Sequence, residues 1–227
     1  MANFHLNQIS LTEILPETDN AMTAPLIEKS NYYEISNLKS IHDFISKHKT
    51  LSLFNSNARS LIKNNSHFQA LFYQIHQENT HFDIITFCET WLNDNLCHSV
   101  NFENYNSVFK HKTAVKEGGG LAVFIREGIL YTVREDLSFN DELLDKFDGL
   151  LVELDGLNII VCIIYRTPRF QSIPELTLHL IDKITTIKRE NKQIIIPGDL
   201  NIDLLKYSHH YETTDFLDQM LIHNLIP

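Results

Sequence analysis

The chain lacks the cysteine and histidine patterns of a zinc site or a disulfide-stabilised protein. It has 3 cysteines and 12 histidines in 227 residues, and neither a CxxC pair nor an HExxH motif occurs. Cys88 and Cys162 lie in apolar, strand-like runs, which indicates buried, reduced thiols. Reduced thiols favour an intracellular protein over a secreted one.

Long apolar runs and an excess of positive charge are also missing. No stretch is long enough to span a bilayer, and the first residues do not have the pattern of a signal peptide. We therefore expect no membrane association and an intracellular location, the nucleus being one option. The formal net charge is −10, whereas a protein that coats nucleic acid without sequence preference is normally basic. The negative net charge is weaker evidence against an enzyme that contacts phosphate through a bound cation, because the cation supplies positive charge.

Only the N-terminal part of the chain lacks the pattern of a folded domain. Hydrophobic residues make up 43% of the chain and charged residues 21%, which excludes a globally disordered protein. We predict a flexible arm over residues 1–49, with a helix at 32–49 where apolar residues recur at helical spacing. Residues 50–227 are predicted to form one domain.

A run of three isoleucines precedes the most distinctive polar pair of the chain. Gln193 to Ile196 predicts a strand that is buried on both faces and ends at Pro197-Gly198. Asp199 and Asn201 follow at once, and their spacing of two places both side chains on one side of an extended segment. The pair could bind Mg²⁺ or a phosphate, or it could simply cap backbone groups in a polar turn.

Three further predicted strands also end in polar side chains. The four endings are Asn57 with Arg59, Glu89, Tyr165 with Arg166, and Asp199 with Asn201. Enzymes built on sheets often place their sites where strand ends meet at one rim. From residue type alone, Glu89 and Asp199 could hold a divalent cation, and the two asparagines and Tyr165 could contact a phosphate. Glu89 could equally be a surface acid.

Local signals predict several other features. Ser66 is predicted to cap a helix that runs to about Asn79, and the S-x-x-E pattern at Ser172 predicts a helix to about Asn191. Asp155-Gly156 predicts a two-residue hairpin turn. Trp91, the only tryptophan, is predicted to fill the core. The Gly118–120 triplet does not match a nucleotide-binding loop, and it predicts a close backbone approach or positive φ angles.

Five short motifs occur in an order that resembles a known superfamily. They are FNSNARSL at 54–61, ETWL at 89–92, GGGLAVF at 118–124, IIYRTP at 163–168 and IPGDLNIDLL at 196–205. Over residues 50–227 the chain resembles the endonuclease/exonuclease/phosphatase superfamily. More narrowly, it resembles the apurinic-type endonuclease domain of non-LTR retrotransposons of the jockey and related LINE groups.

The resemblance implies both a fold and a reaction. The fold would be a four-layered α/β sandwich of the α+β type, with two mostly antiparallel sheets face to face and helices outside. The reaction would be hydrolysis of a phosphodiester in DNA by a water activated by Mg²⁺ or Mn²⁺. No oligomeric state is implied.

Matching positions to the family motifs assigns a role to each polar strand end. Glu89 and Asn57 match the residues at the metal, and Tyr165 matches the tyrosine that contacts the phosphate. Asp199 matches the aspartate that orients or deprotonates the attacking water, and Asn201 matches the asparagine that stabilises the pentavalent transition state. Arg59 and Arg166 are expected to bind substrate.

The end of the chain departs from the family pattern. The family continues past the last predicted helix with a Ser/Thr segment, a further Asp and a catalytic His. No residue here matches them, because His223 is expected at a helix end. We therefore expect a truncated or degenerate copy, or a partial gene model, whose second sheet has an uncovered edge and whose activity is reduced.

Two other functions fit the same residues. A phosphatase of the same superfamily would act on phospholipid or inositol phosphates. A non-catalytic protein derived from a transposon would keep the polar residues without turnover.

Overall fold

The structure, a computed structural model, describes residues 34–40, 43, 51–111, 119–139, 143 and 145–226. Most of the predicted arm lies outside these residues. Within the predicted helix at 32–49, Ile35–Asn37 forms a 3-10 turn, and Leu38 is buried against the domain. In the described part of the chain, no helix combines the length and the apolar character needed to cross a bilayer.

The first sheet has four strands and one parallel pair. Its strands are β1 (Leu53–Asn57), β2 (Ile84–Cys88), β3 (Tyr105–Lys110) and β4 (Leu121–Arg126), in the spatial order β1-β2-β4-β3. β1 and β2 are parallel, and helix α1 (Leu61–Gln77) connects them because parallel neighbours need a crossover. The other pairs are antiparallel.

The second sheet has five strands centred on two long ones. Its strands are β5 (Tyr131–Val133), β6 (Phe147–Leu154), β7 (Ile159–Arg166), β8 (Gln193–Ile195) and β9 (Gly198–Asp199). The spatial order is β5-β6-β7-β8, and β9 pairs with β7 beyond the end of β8. β5, β6 and β7 are antiparallel, whereas β8 and β9 run parallel to β7.

Helices cover the outer face of each sheet. Alternate residues of the strands point to opposite faces, so each sheet contributes to two apolar clusters. One cluster joins α1 to the first sheet, and a second lies between the two sheets. A third joins the second sheet to α2 (Ile173–Arg189) and α3 (Tyr211–Ile222). This arrangement confirms the expected four-layered sandwich with two mostly antiparallel sheets.

Two local predictions of turns and caps were wrong and one is confirmed. Ser60, not Ser66, caps α1, and its hydroxyl accepts a hydrogen bond from Lys63 N at 3.4 Å. The turn between β6 and β7 spans residues 155–158, so it is longer than the predicted two residues. Ser172 caps α2 as expected, with its hydroxyl accepting from Glu175 N at 3.2 Å.

Strand β8 is less buried than its three isoleucines predicted. Ile194, Ile195 and Ile196 are only half-buried. Among the described residues, β8 pairs with β7 on one side and with no strand on the other. The prediction of a strand buried on both faces was therefore wrong, because β8 lies at the edge of the sheet.

An ion-pair network fastens the end of α2 to the second sheet. Arg134 donates to Glu153 and Glu190 at 2.8 Å each, and to Asp136. Lys192 contacts Glu153 at 2.6 Å and Glu190 at 3.1 Å. Hydrogen bonds from Arg134 and Lys192 lower the pKa of Glu190 to about 2. The pKa of Glu153 is lowered by Lys192 and then by Arg134.

This network predicts a pH-dependent contribution to stability. A carboxylate with a lowered folded-state pKa stabilises the fold above its unfolded pKa of about 4.3, and that contribution is lost as pH falls toward the folded value. Glu190→Gln should therefore lower the urea midpoint at pH 7, and the difference from the wild type should shrink between pH 4 and about pH 2. Asp218→Asn, at an exposed position of α3, is the control. An equal difference at every pH would contradict the assignment.

Gly198 allows β9 to approach β7 closely. Its φ angle is +146°, and a Cβ atom at this position would lie 1.9 Å from Ile164 O. Ile164 N in turn donates to Pro197 O at 3.0 Å. Any side chain at residue 198 would displace the strand that carries Asp199.

We predict that Gly198→Ala destabilises the protein by more than about 2 kcal/mol, because steric overlap adds to backbone strain. Gly128→Ala is the matched control, since Gly128 has φ +91° but no atom within 4 Å of the added Cβ. Strain alone should cost about 1 kcal/mol there. Urea unfolding of both variants measures the difference, and equal losses would rule out the steric explanation.

Candidate active site

Seven residues at or next to the ends of strands form two facing rows at one rim of the sandwich. Register places four residues side by side in the first sheet, namely Asn57, Cys88, Leu121 and Lys110. In the second sheet the corresponding row is Asp199, Tyr165 and Asp148. Polar side chains from both sheets therefore meet at the same edge, as the strand endings in the sequence indicated.

The side-chain amide of Asn57 joins the two sheets at this rim. Its Nδ2 donates to Glu89 Oε1 at 2.6 Å and to Asp199 Oδ2 at 2.8 Å. Its Oδ1 accepts from Arg59 N at 3.2 Å, which holds the nitrogen toward the two acids. One neutral amide thus keeps together two carboxylates that come from different sheets and would otherwise repel each other.

Backbone hydrogen bonds hold Glu89 just beyond the end of β2. Ala58 N donates to Cys88 O at 2.8 Å, Ser60 N to Glu89 O at 2.9 Å, and Leu61 N to Thr90 O at 2.9 Å. These bonds continue the pairing of β1 with β2 past the sheet. Glu89 has φ +50°, a strained conformation for a residue other than glycine, and the flanking bonds are what keep it there.

The glycine triplet supports the same segment from the other side. Thr90 N donates to Gly120 O at 3.2 Å, and Trp91 N donates to Gly119 O at 3.1 Å. Gly120 has φ +82°, and a Cβ there would lie 2.6 Å from Thr90 Oγ1. The predicted positive φ angles are confirmed at Gly119 and Gly120 and the predicted close approach at Gly120, while Gly118 lies outside the described residues.

Asp199 is held by the loop that follows it. Asn201 N donates to Asp199 Oδ1 at 3.0 Å, and Asn201 Nδ2 donates to Arg166 O at 2.6 Å. The guanidinium of Arg166 donates to the carbonyl oxygens of Leu200, Phe170 and Asn201. The loop at 199–201 is therefore fixed through Arg166.

The expectation that Arg166 binds substrate finds no support in its surroundings. Arg166 is 5% exposed, its donors face backbone carbonyls, and burial lowers its pKa. It positions Asp199 and Asn201 instead. Arg59 is different, because its side chain is exposed; its φ angle is +42°.

Tyr165 and Cys88 are buried below the carboxylates. Burial raises the pKa of Tyr165, and the negative charges of Glu89 and Asp199 raise it further. The Tyr165 hydroxyl therefore remains a protonated donor at neutral pH. Burial also raises the pKa of Cys88 to about 12, so its thiol stays neutral and unreactive.

Three residues at the rim were missed or misread in the sequence. Lys110 and Asp148 form a 2.7 Å ion pair between the sheets, and Lys110 also donates to Gly149 O at 3.0 Å. A lysine and an aspartate at the ends of apolar strands were the available signal, but only the register brings them together. Trp91, predicted to fill the core, is 42% exposed.

The donor set at the rim fits a hard divalent cation. Glu89 and Asp199 supply carboxylate oxygens, and Mg²⁺ is usually held by one or two carboxylates with waters and substrate phosphates completing the shell. Within the described residues, no three His, Cys, Asp or Glu side chains cluster as a potential metal site. The two carboxylates are oxygen donors of the kind that suits a hard divalent cation such as Mg²⁺ or Mn²⁺.

Comparisons with solved structures identify the same fold. The APE2 catalytic domain of Xenopus laevis matches with a TM-score of 0.51 and 18% identity, over 75% of this chain and 67% of that chain. A 3'-5' exonuclease from Neisseria meningitidis matches with a TM-score of 0.51 and 15% identity, over 76% and 71%.

The endonuclease domain of TRAS1, a telomere-specific non-LTR retrotransposon, matches with a TM-score of 0.49 and 10% identity, over 76% of this chain and 72% of that chain. No protein-family model and no curated protein sequence matches this chain. At these identities the structural matches establish the fold. The chain is therefore similar in fold to the Xenopus laevis and Neisseria meningitidis proteins.

Proposed function

We propose that this protein is a divalent-cation-dependent phosphodiesterase that cleaves DNA, of the type found in non-LTR retrotransposons. The observation that carries the proposal is the Asn57 amide, which holds Glu89 and Asp199 together from opposite sheets. Two carboxylates held beside fixed amides at an open rim can bind a cation and position a water. Hydrolysis of a phosphate ester uses both of these functions.

Glu89, with Asn57 beside it, would hold Mg²⁺ or Mn²⁺, which would supply positive charge to the phosphate oxygens and lower the pKa of a bound water. Asp199 orients the attacking water and accepts its proton, since Asn201 N fixes one carboxylate oxygen. The protonated hydroxyl of Tyr165 donates a hydrogen bond to the phosphate. The side-chain amide of Asn201 stabilises charge on the phosphate in the transition state.

We expect the full chain to nick supercoiled plasmid in the presence of Mg²⁺ and not in EDTA. Asp199→Ala should reduce the rate by about 10²–10⁴-fold, because it removes the group that handles the proton. Asp203→Asn is the matched control, since Asp203 is an exposed acid four residues later whose side chain caps Leu205 N. Agarose gels of nicked product over time give the rates.

Two outcomes would identify another function. If the protein melts cooperatively but nicks nothing with Mg²⁺ or Mn²⁺, it is a folded, non-catalytic member of the superfamily. If it hydrolyses phosphomonoesters in preference to DNA, it is a phosphatase.

Substitutions of Arg59 and Arg166 should have different effects, the first on DNA binding and the second on stability. Arg59→Ala should weaken DNA binding without changing the melting temperature. It should also reduce the slope of log binding constant against log salt concentration by about one, the value for one lost phosphate contact. Arg166→Met should lower the melting temperature, because three carbonyls lose a buried donor. Fluorescence anisotropy at several salt concentrations and thermal melts measure both effects. A destabilised Arg59→Ala variant with an unaltered salt slope would contradict the assignment.

A further inference from the structure

The two segments that hold Glu89 expose one side chain each. Segments 57–61 and 88–92 are paired by backbone hydrogen bonds, and their other side chains are buried or half-buried. The exceptions are Arg59 on the first segment and Trp91 on the second. An exposed arginine and an exposed tryptophan therefore lie on the two backbone segments that hold Glu89.

Core packing does not explain the indole of Trp91. Trp91 is 42% exposed, whereas its neighbours Thr90 and Leu92 are 1% and 4% exposed. Among the described residues, no aromatic side chain forms a ring pair with it. The indole of Trp91 is thus left partly facing solvent, two residues from a candidate metal ligand.

The backbone at Trp91 is both strained and rigidly held. Its φ angle is +54°, which is unfavourable for a bulky side chain and persists only when the surroundings impose it. Trp91 N donates to Gly119 O at 3.1 Å, and the preceding residue bonds Leu61 N and Gly120 O. Such strain accumulates at functional sites, where it fixes a side chain in place before the ligand arrives.

We propose that Trp91 stacks on an unpaired nucleobase next to the scissile phosphate, while Arg59 contacts the sugar–phosphate backbone. This inference rests on the proposed phosphodiesterase function and specifies its substrate as single-stranded or locally unpaired DNA. A base offers its face to an indole only when it is not stacked within a duplex. Two residues of chain span at most about 7 Å, so a base adjoining the phosphate at Glu89 is within reach.

The charge of the protein supports stacking as a source of affinity. The net charge is −10, so the chain as a whole repels the phosphate backbone. Stacking between a base and an aromatic ring needs no positive charge and is worth about 1–3 kcal/mol per base. An acidic nuclease can therefore retain its substrate through Trp91, with positive charge required only at Arg59 and at the cation.

The single tryptophan makes the proposal directly measurable. Its emission reports only on residue 91, because the chain contains no other tryptophan. The full chain with Asp199→Ala, in which cutting is slowed, would be titrated in the presence of Mg²⁺ with three ligands. These are oligothymidylate, an abasic-spacer oligonucleotide with the same number of phosphates, and a fully paired hairpin. We expect oligothymidylate to quench the emission and the abasic strand not to. Equal quenching by both strands, or tighter binding of the hairpin, would overturn the proposal.

Variants test the energetic role of the indole in the same background. Trp91→Ala should weaken binding of labelled oligothymidylate by about tenfold or more in anisotropy measurements, and Trp91→Phe should retain most of the affinity. Tyr73→Ala removes an aromatic side chain that is 65% exposed on α1 and should leave affinity unchanged. Melting curves verify folding of each variant. Unchanged affinity in a folded Trp91→Ala variant would refute the role of the indole.

A separate assay keeps the two proposals distinguishable. Hydrolysis of bis(p-nitrophenyl) phosphate by the wild type with Mg²⁺ tests the phosphodiesterase function without any nucleobase. Hydrolysis without base-dependent quenching would refute stacking alone. Quenching without hydrolysis would refute the proposed function and leave Trp91 as a base-binding residue.

Discussion

The site depends on one amide that bridges two like charges. Glu89 and Asp199 come from different sheets, and the Asn57 Nδ2 that both accept from is the direct link between them. This link forms only because the apolar cluster between the sheets sets their separation. The packing of β2 and β4 on β6 and β7 therefore determines the geometry at the rim, and Tyr165 belongs both to this cluster and to the candidate site.

Among the described residues, those with positive φ angles that are neither glycine nor asparagine all lie at or beside the rim. Arg59, Glu89, Trp91 and Asn201 all have positive φ angles. Each is compensated by fixed hydrogen bonds; for example, Asn64 Nδ2 donates to Ala58 O at 2.8 Å behind the turn at Arg59. Rigid turns of this kind suit hydrolysis, because groups that are already oriented need not reorganise in the transition state. The supporting residues thus matter as much as the side chains they hold.

The sequence predicted features that depend on local order along the chain. Asn57, Glu89 and Asp199 could be found because each follows an apolar strand, and the motifs around them indicated the four-layered fold. Features that depend on tertiary neighbours were not predictable. The pair of Lys110 with Asp148 requires the register of two sheets, and the exposure of Trp91 requires knowledge of what packs beside it. In the same way, the isoleucines of β8 indicate a strand but not its position at a sheet edge.

The distance along the chain between the two halves of the site has a consequence for synthesis. Asn57 and Asp199 are 142 residues apart, so their contact closes a very long loop and carries a large entropic cost that earlier packing must offset. On the ribosome, Glu89 and Asn57 emerge long before β9 exists. A nascent chain therefore has no assembled pair of carboxylates, and the Asn57 amide can join the two only when both sheets have docked.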